Sequence, residues 1–229
     1  MPGLDGTGRL YAPLAASLAQ AGDAEVLAYD NGQFQGYSAL ADAIEPALLR
    51  RNDDIVLVAE SFAGPLGVLL AHRHPGRVRA LVMAASFVRA PLPLSRVAAA
   101  LVESLPAIAP PLFVLERLLT GSGLPPSLRA EFEVIVASVP LPVLRQRAVA
   151  ALRVDVSREL AALDMPVLYL QARHDRLIWP HAGRDVLRLA RHARHAVVDA
   201  PHFLFQVAPV PAAVEIGRLL DVFRDDACV

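Results

Sequence analysis

The sequence predicts an α/β domain built on a mainly parallel sheet, and three observations carry that prediction. Short apolar runs of strand length alternate with segments of helical spacing. One run, Asp54–Ala59 (DIVLVA), is almost wholly apolar, as expected of a strand covered on both faces. Pro and Gly punctuate the joints between the periodic segments.

Glu25–Asp30 (EVLAYD) reads as a short strand. Ser38 is placed to cap a helix running to about Arg50, with Leu40, Ile44 and Leu48 four apart on one face. The strand Asp54–Ala59 leads into a tight turn at Glu60-Ser61-Phe62 and a helix to about His72, which His74-Pro75-Gly76 ends. Val78–Ser86 is the next strand. From about Phe87 to Leu163 the rhythm changes. Helical spacing recurs near Ser95–Glu103, Leu112–Leu119, Ser127–Ser138 and Leu141–Leu152, with Pro and Gly between. Arg145, Arg147 and Arg153 fall at helical spacing and read as a solvated face. The alternation resumes with a strand at Pro166–Gln171, a helix at Ala182–His192, a strand at His195–Asp199 and a helix at Ala212–Phe223. The expected organisation is a core of residues 1–86 and 164–229 interrupted by a helical cap at 87–163.

Composition narrows the function. The chain has 229 residues, 55% hydrophobic and 20% charged, enough for a sizeable core. A formal net charge of −1 provides no field to attract nucleic acid or anionic lipid. The single cysteine, Cys228, excludes an intrachain disulfide and a cysteine-rich metal site. No uninterrupted apolar run reaches the ~18–20 residues that span a bilayer, and the N-terminus lacks the basic and apolar regions of a signal peptide. The expectation is a cytoplasmic protein with no integral membrane segment and no nucleic-acid partner.

Three segments carry chemistry. In Val58-Ala59-Glu60-Ser61-Phe62-Ala63-Gly64 a serine sits between a buried strand and a helix, flanked at two residues by small side chains. A sharp strand-to-helix turn holds such a serine in a strained conformation and aims the helix N-terminus at its hydroxyl. Alone, Ser61 reads equally well as a helix cap. In Arg173-His174-Asp175-Arg176-Leu177-Ile178-Trp179-Pro180, directly after a strand, Asp175 is the candidate acid that orients a histidine, or else a loop aspartate capping the next helix. In Asp199-Ala200-Pro201-His202-Phe203, after the last strand, His202 is the candidate general base. His72, His74, His192 and His195 read as surface residues, and His174 and His181 as weaker rivals. All three candidates fall at C-terminal strand ends, where an open α/β sheet places its sites.

The order Ser…Asp…His, with these turns, resembles the α/β-hydrolase superfamily from Pro2 to about Phe223, in its serine carboxylesterase or lipase-like branch. The opening Pro2-Gly3-Leu4-Asp5-Gly6-Thr7-Gly8 resembles that superfamily's oxyanion loop. The resemblance implies that the backbone N–H groups of Leu4 and Phe62 hold the developing oxyanion, and it implies no cofactor and no metal. The implied substrate is a small-molecule carboxylic ester with an apolar acyl group, since the cap is rich in Leu, Val, Pro and Phe, as in Ile108-Ala109-Pro110-Pro111-Leu112-Phe113-Val114. A thioesterase, lysophospholipase, acyltransferase or C–C hydrolase would use the same three residues, and a non-catalytic binding protein could keep the frame.

One departure stands out. In the superfamily a strand precedes the oxyanion loop, whereas this sequence opens at the loop itself. That strand would lie between Glu25–Asp30 and Asp54–Ala59, so the N-terminal strands appear as missing elements. Two readings follow: an upstream strand outside this sequence, or direct pairing of the two flanking strands. Loss of that strand is expected to leave the loop anchored on one side only.

Overall fold

The computed structural model describes residues 1–50, 53–92, 94–104, 110–121, 124 and 126–226. Cys228, and Ile108 and Ala109 of the apolar stretch, lie outside them. A 3-10 turn at Arg9–Tyr11 leads into α1 (Ala12–Leu18), followed by α2 (Tyr37–Leu49), β1 (Ile55–Glu60), α3 (Ala63–Arg73) and β2 (Val78–Ala84). Helices α4 (Ser95–Ser104), α5 (Leu112–Thr120), α6 (Pro126–Ser138), α7 (Leu141–Arg153) and α8 (Ser157–Ala161) come next. Then follow β3 (Val167–Ala172), α9 (Pro180–Leu189), β4 (Ala193–Val198), α10 (Leu204–Val207) and α11 (Pro209–Asp226).

Among the described residues the sheet runs β1-β2-β3-β4, every neighbouring pair parallel. Strand periodicity divides the interior in two. Leu57 and Ala59 of β1, Leu81 and Met83 of β2, and Val167 and Tyr169 of β3 face the core closed by α2 and α3. The alternate residues Ala80, Val82, Ala84, Leu168, Leu170 and Ala172 face the core closed by α1, α10 and α11. The largely apolar character of these strands follows from that double covering.

Several boundaries depart from the sequence reading. The expected strand Glu25–Asp30 does not form, and residues 23–30 have no assigned secondary structure. A strand needs a ladder partner, and this stretch is bound to the loop ahead of it by a single backbone bond, Tyr29 N–H to the Gly6 carbonyl at 2.8 Å. It does not pair directly with β1. Between the two runs a cavity of about 450 Å³, lined by Leu14, Leu18, Val26, Leu27, Leu57 and Ile216 among others. At one end of that gap Met1 lies alongside Ala59, its N donating to the Val58 carbonyl at 2.6 Å and its carbonyl accepting from Glu60 N–H at 3.3 Å.

Ser38 does not cap α2. Gly36 takes that place with φ 100°, a backbone angle that favours glycine, and Ser38 Oγ instead accepts from Arg73 at 3.2 Å. Helices α9 and α11 begin earlier than their apolar spacing suggests, at Pro180 and Pro209, because proline suits a first helical turn. The short helices α1, α8 and α10 span two turns or fewer, too little for periodicity to register.

Candidate active site

The three candidate side chains meet at the C-terminal rim of the sheet. Ser61 follows β1 with φ 53°, the left-handed region a non-glycine residue rarely occupies. Its backbone is pinned on every side. Ser61 N–H donates to the Ala84 carbonyl at 2.9 Å, and its own carbonyl accepts from Gly64 N–H at 3.1 Å and from Ser86 Oγ at 2.6 Å. The tightness dictates local sequence: a Cβ at Gly64 would lie 1.9 Å from Ser86 Oγ. Ala59 and Ala63, the small residues flanking the turn, are fully buried.

Asp175 follows β3. Its Oδ1 accepts from the Leu177 and Ile178 amides at 2.8 and 2.9 Å, so the carboxylate is clamped by its own loop. The other oxygen, Oδ2, lies 2.8 Å from His202 Nδ1, and His202 Nε2 lies 2.9 Å from Ser61 Oγ. A carboxylate only accepts, so Nδ1 carries the ring proton and Nε2 faces the hydroxyl as an acceptor. The His202 and Asp175 side chains are 4% and 5% exposed, which shields the pair from water. Serine, imidazole and carboxylate thus form one chain of hydrogen bonds able to remove the hydroxyl proton as the oxygen attacks an electrophile.

The loop 2–8 packs against this chain. A Cβ at Gly3 would sit 3.8 Å from the Ser61 Cβ. Gly6 N–H donates to the Gly3 carbonyl at 3.1 Å and closes a turn over Leu4 and Asp5. Among the described residues neither the Leu4 nor the Phe62 amide donates to another backbone carbonyl. The loop is not anchored on one side only. It is tied to β1 through Met1, to residue 29 through the Tyr29 hydroxyl on the Pro2 carbonyl at 2.7 Å, and to α7 through Arg147.

The rival histidines are engaged elsewhere. His174 Nε2 lies 2.9 Å from Asp199 on the surface, and His181 packs edge-on to Trp179. His72, His192 and His195 are exposed. His74 is not a free surface residue: its side chain is 18% exposed and sits 2.6 Å from Glu45 Oε1. The expected solvated face on α7 is corrected at Arg147, which is fully buried, while Arg153 is exposed as expected.

Two further groups at the site have roles that the sequence reading did not give them. Glu60, the residue before Ser61, is buried, and its carboxylate accepts from the Tyr11 hydroxyl, from Gln206 Nε2 at 3.0 Å and from Phe205 N–H at 3.5 Å. Burial pushes this carboxyl above its ordinary value, against the opposing pull of those hydrogen bonds and of nearby His202. A charge at the end of an apolar strand was the visible signal for it. Ser86, which locks the Ser61 carbonyl, offered none. Among the described residues no cluster of histidine, cysteine or carboxylate side chains has the makings of a metal site, and no single helix is long and apolar enough to cross a membrane.

No protein-family description and no curated protein matches this sequence. Solved structures do. An esterase from Exiguobacterium antarcticum superposes with a TM-score of 0.82 at 13% identity, covering 96% of this chain and 90% of that one. A lipase-esterase related protein from Clostridium acetobutylicum gives 0.77 at 16% identity over 95% and 91% of the two chains. The enol-lactonase from Burkholderia xenovorans gives 0.73 at 18% identity over 95% and 88%. At such identities the likeness speaks for architecture. The parallel sheet and its helical layers are those of the α/β-hydrolase fold, and this chain has that fold.

Proposed function

We propose that this protein is a serine hydrolase that cleaves carboxylic esters of small molecules through an acyl-enzyme. The observation that carries the reading is the hydrogen-bonded chain from Ser61 Oγ through His202 to Asp175. Ser61 attacks the acyl carbon as His202 takes its proton. Asp175 orients His202 and stabilises the imidazolium. The Leu4 and Phe62 amides hold the negative charge that develops on the carbonyl oxygen. His202 then protonates the departing alkoxide, and a water molecule, activated by the same imidazole, releases the acid.

Two things support an apolar, uncharged acyl group. The segment 87–163, read as a lid, brings Leu112, Leu115, Leu119 and Phe132 into one apolar cluster with Phe203, the residue after His202. Phe203 N–H also donates to the Leu119 carbonyl at 3.0 Å, which ties that cluster to the histidine loop. The words esterase and lipase-esterase among the structural neighbours support the ester-hydrolase reading itself.

The test is a panel of p-nitrophenyl esters of rising chain length, with labelling by a fluorophosphonate probe run in parallel. Turnover and labelling are expected in the wild type. Ser61→Ala is expected to abolish labelling and to lower kcat by roughly 10⁵–10⁶-fold. A wild-type protein that neither labels nor turns over any ester would end the reading. Labelling without ester turnover would redirect it to another acyl substrate of the same serine.

A further inference from the structure

Arg147 is a fully buried cation on α7, far in sequence from the loop it touches. Its Nη1 donates to the Leu4 and Asp5 carbonyls, both at 3.0 Å, and to Asn31 Oδ1 at 2.9 Å. Its Nη2 donates to the Asp30 carbonyl at 3.0 Å. The guanidinium carbon lies 5.5 Å from the centre of the Tyr29 ring and 5.9 Å from that of Phe34. The hydrogen-bond partners are thus carbonyl and amide oxygens rather than a carboxylate.

That choice of partners is informative. Burying a guanidinium carries a desolvation penalty, and an apolar side chain of similar volume would fill the same space without it. An apolar side chain could not hold two successive carbonyls of a loop containing Gly3, Gly6 and Gly8, whose backbone has unusual freedom. The fit is close: a Cβ at Gly6, where φ is +72°, would lie 2.8 Å from Arg147 Nη1. With the Leu4 and Asp5 carbonyls fixed by Arg147, and the Gly3 carbonyl fixed by Gly6 N–H, both peptide planes flanking Leu4 are set. The direction of the Leu4 N–H follows.

We propose that Arg147 is a positioning residue for the oxyanion loop: it clamps the Leu4 and Asp5 carbonyls to α7 and so aims the Leu4 amide at the charge that develops on the substrate. This rests on the ester-hydrolase reading of Ser61. It makes α7 and the loop one mechanical unit, so the loop is complete only while α7 is docked.

The experiment is steady-state kinetics of Arg147→Lys and Arg147→Met on a p-nitrophenyl ester that the wild type turns over. One oxyanion donor is commonly worth 10²–10³ in kcat, so a misaimed one is expected to lower kcat roughly 10–100-fold. KM should stay within about threefold and the pH profile should not move, because Arg147 touches neither His202 nor Asp175. In a Leu4→Pro background, which lacks the amide, Arg147→Lys should change kcat less than about twofold, since coupled residues are non-additive. If the Arg147 variants do not fold, Gly6→Ala presses from the loop side on Arg147 Nη1 at 2.8 Å and on Tyr29 Cδ2 at 2.7 Å, and its fall in kcat at nearly constant KM should exceed that of Tyr29→Phe, a fall no larger than that of Tyr29→Phe overturning the proposal. An unchanged kcat with only a lower melting temperature would overturn the proposal, as would additivity with Leu4→Pro or a shifted pH profile. Wild-type protein inert to every ester and to fluorophosphonate would overturn the parent reading and this one together. Active wild type with indifferent variants overturns this one alone.

Discussion

The strand-end corner of Ser61, Asp175 and His202 and the glycine-rich loop of residues 2–8 share one rim of the molecule but are held in different ways. Each side chain of the corner leaves a strand end by a turn of a few residues, and the parallel register of β1, β3 and β4 sets their separation. Its hydrogen bonds are few, short and mutually required. Among the described residues the loop is not part of the sheet. It is held by contacts gathered from distant segments, among them Met1 on β1, Tyr29 and Arg147. A site set by the sheet should fail all at once, whereas one held by several independent contacts should weaken by degrees.

Asp175→Asn tests the first half of that contrast and, after Ser61→Ala, carries the largest expected effect. Asparagine keeps the acceptor for the Leu177 and Ile178 amides, so the fold is expected to survive. It also presents an N–H to His202 Nδ1 and forces the wrong tautomer. A fall in kcat of about 10⁴-fold is expected with little change in melting temperature. A loss of only a few-fold would mean that the corner is as graded as the loop.

Tyr29→Phe tests the second half. It removes the hydroxyl that donates to the Pro2 carbonyl and leaves the Arg147 clamp in place. One lost hydrogen bond of about 1 kcal/mol corresponds to a fall in kcat of roughly twofold to fivefold. A loss as large as that of Asp175→Asn would show that the loop too is all-or-none.

Glu60→Gln probes the point where the two regions meet, and its expected effect is the smallest. The Glu60 side chain receives Tyr11 from the N-terminal side and Gln206 from the histidine side, and burial raises its carboxyl above the ordinary value. In the window above that ordinary value the folded protein holds a proton that the unfolded chain has lost. Wild-type stability therefore falls as pH rises through the window, and the cost is fully present above the folded-state value. Glutamine does not titrate. The melting temperature of the variant minus that of the wild type should grow as pH is raised from the ordinary carboxyl range toward neutrality. A difference independent of pH would show that this carboxyl does not change its charge across the window.

The contrast also explains what could be read in advance. Asp54–Ala59 and Val78–Ser86 announced themselves as buried strands because covering on both faces leaves no place for polar residues. Ser61, Asp175 and His202 were legible because each follows the C-terminal end of a strand, β1, β3 or β4. Glu25–Asp30 misled for the opposite reason. Its residues have strand propensity, but propensity forms no ladder without a neighbour, and the space between this run and β1 is a cavity. Arg147 misled because helical spacing does not tell a face turned to water from one turned to carbonyls. Its partners Leu4, Asp5, Asp30 and Asn31 lie more than a hundred residues away.

By itself the sequence determined the alternation of strands and helices, the strand-end turns and the order of the three reactive side chains. These are properties of neighbouring residues, set by periodicity and backbone sterics. Only the tertiary structure decided that the three side chains meet within hydrogen-bonding distance, that residues 25–30 stay out of the sheet, and that a buried arginine holds the glycine loop. Those outcomes depend on which surfaces approach one another, and a buried polar group takes whatever partner the packed chain brings within reach.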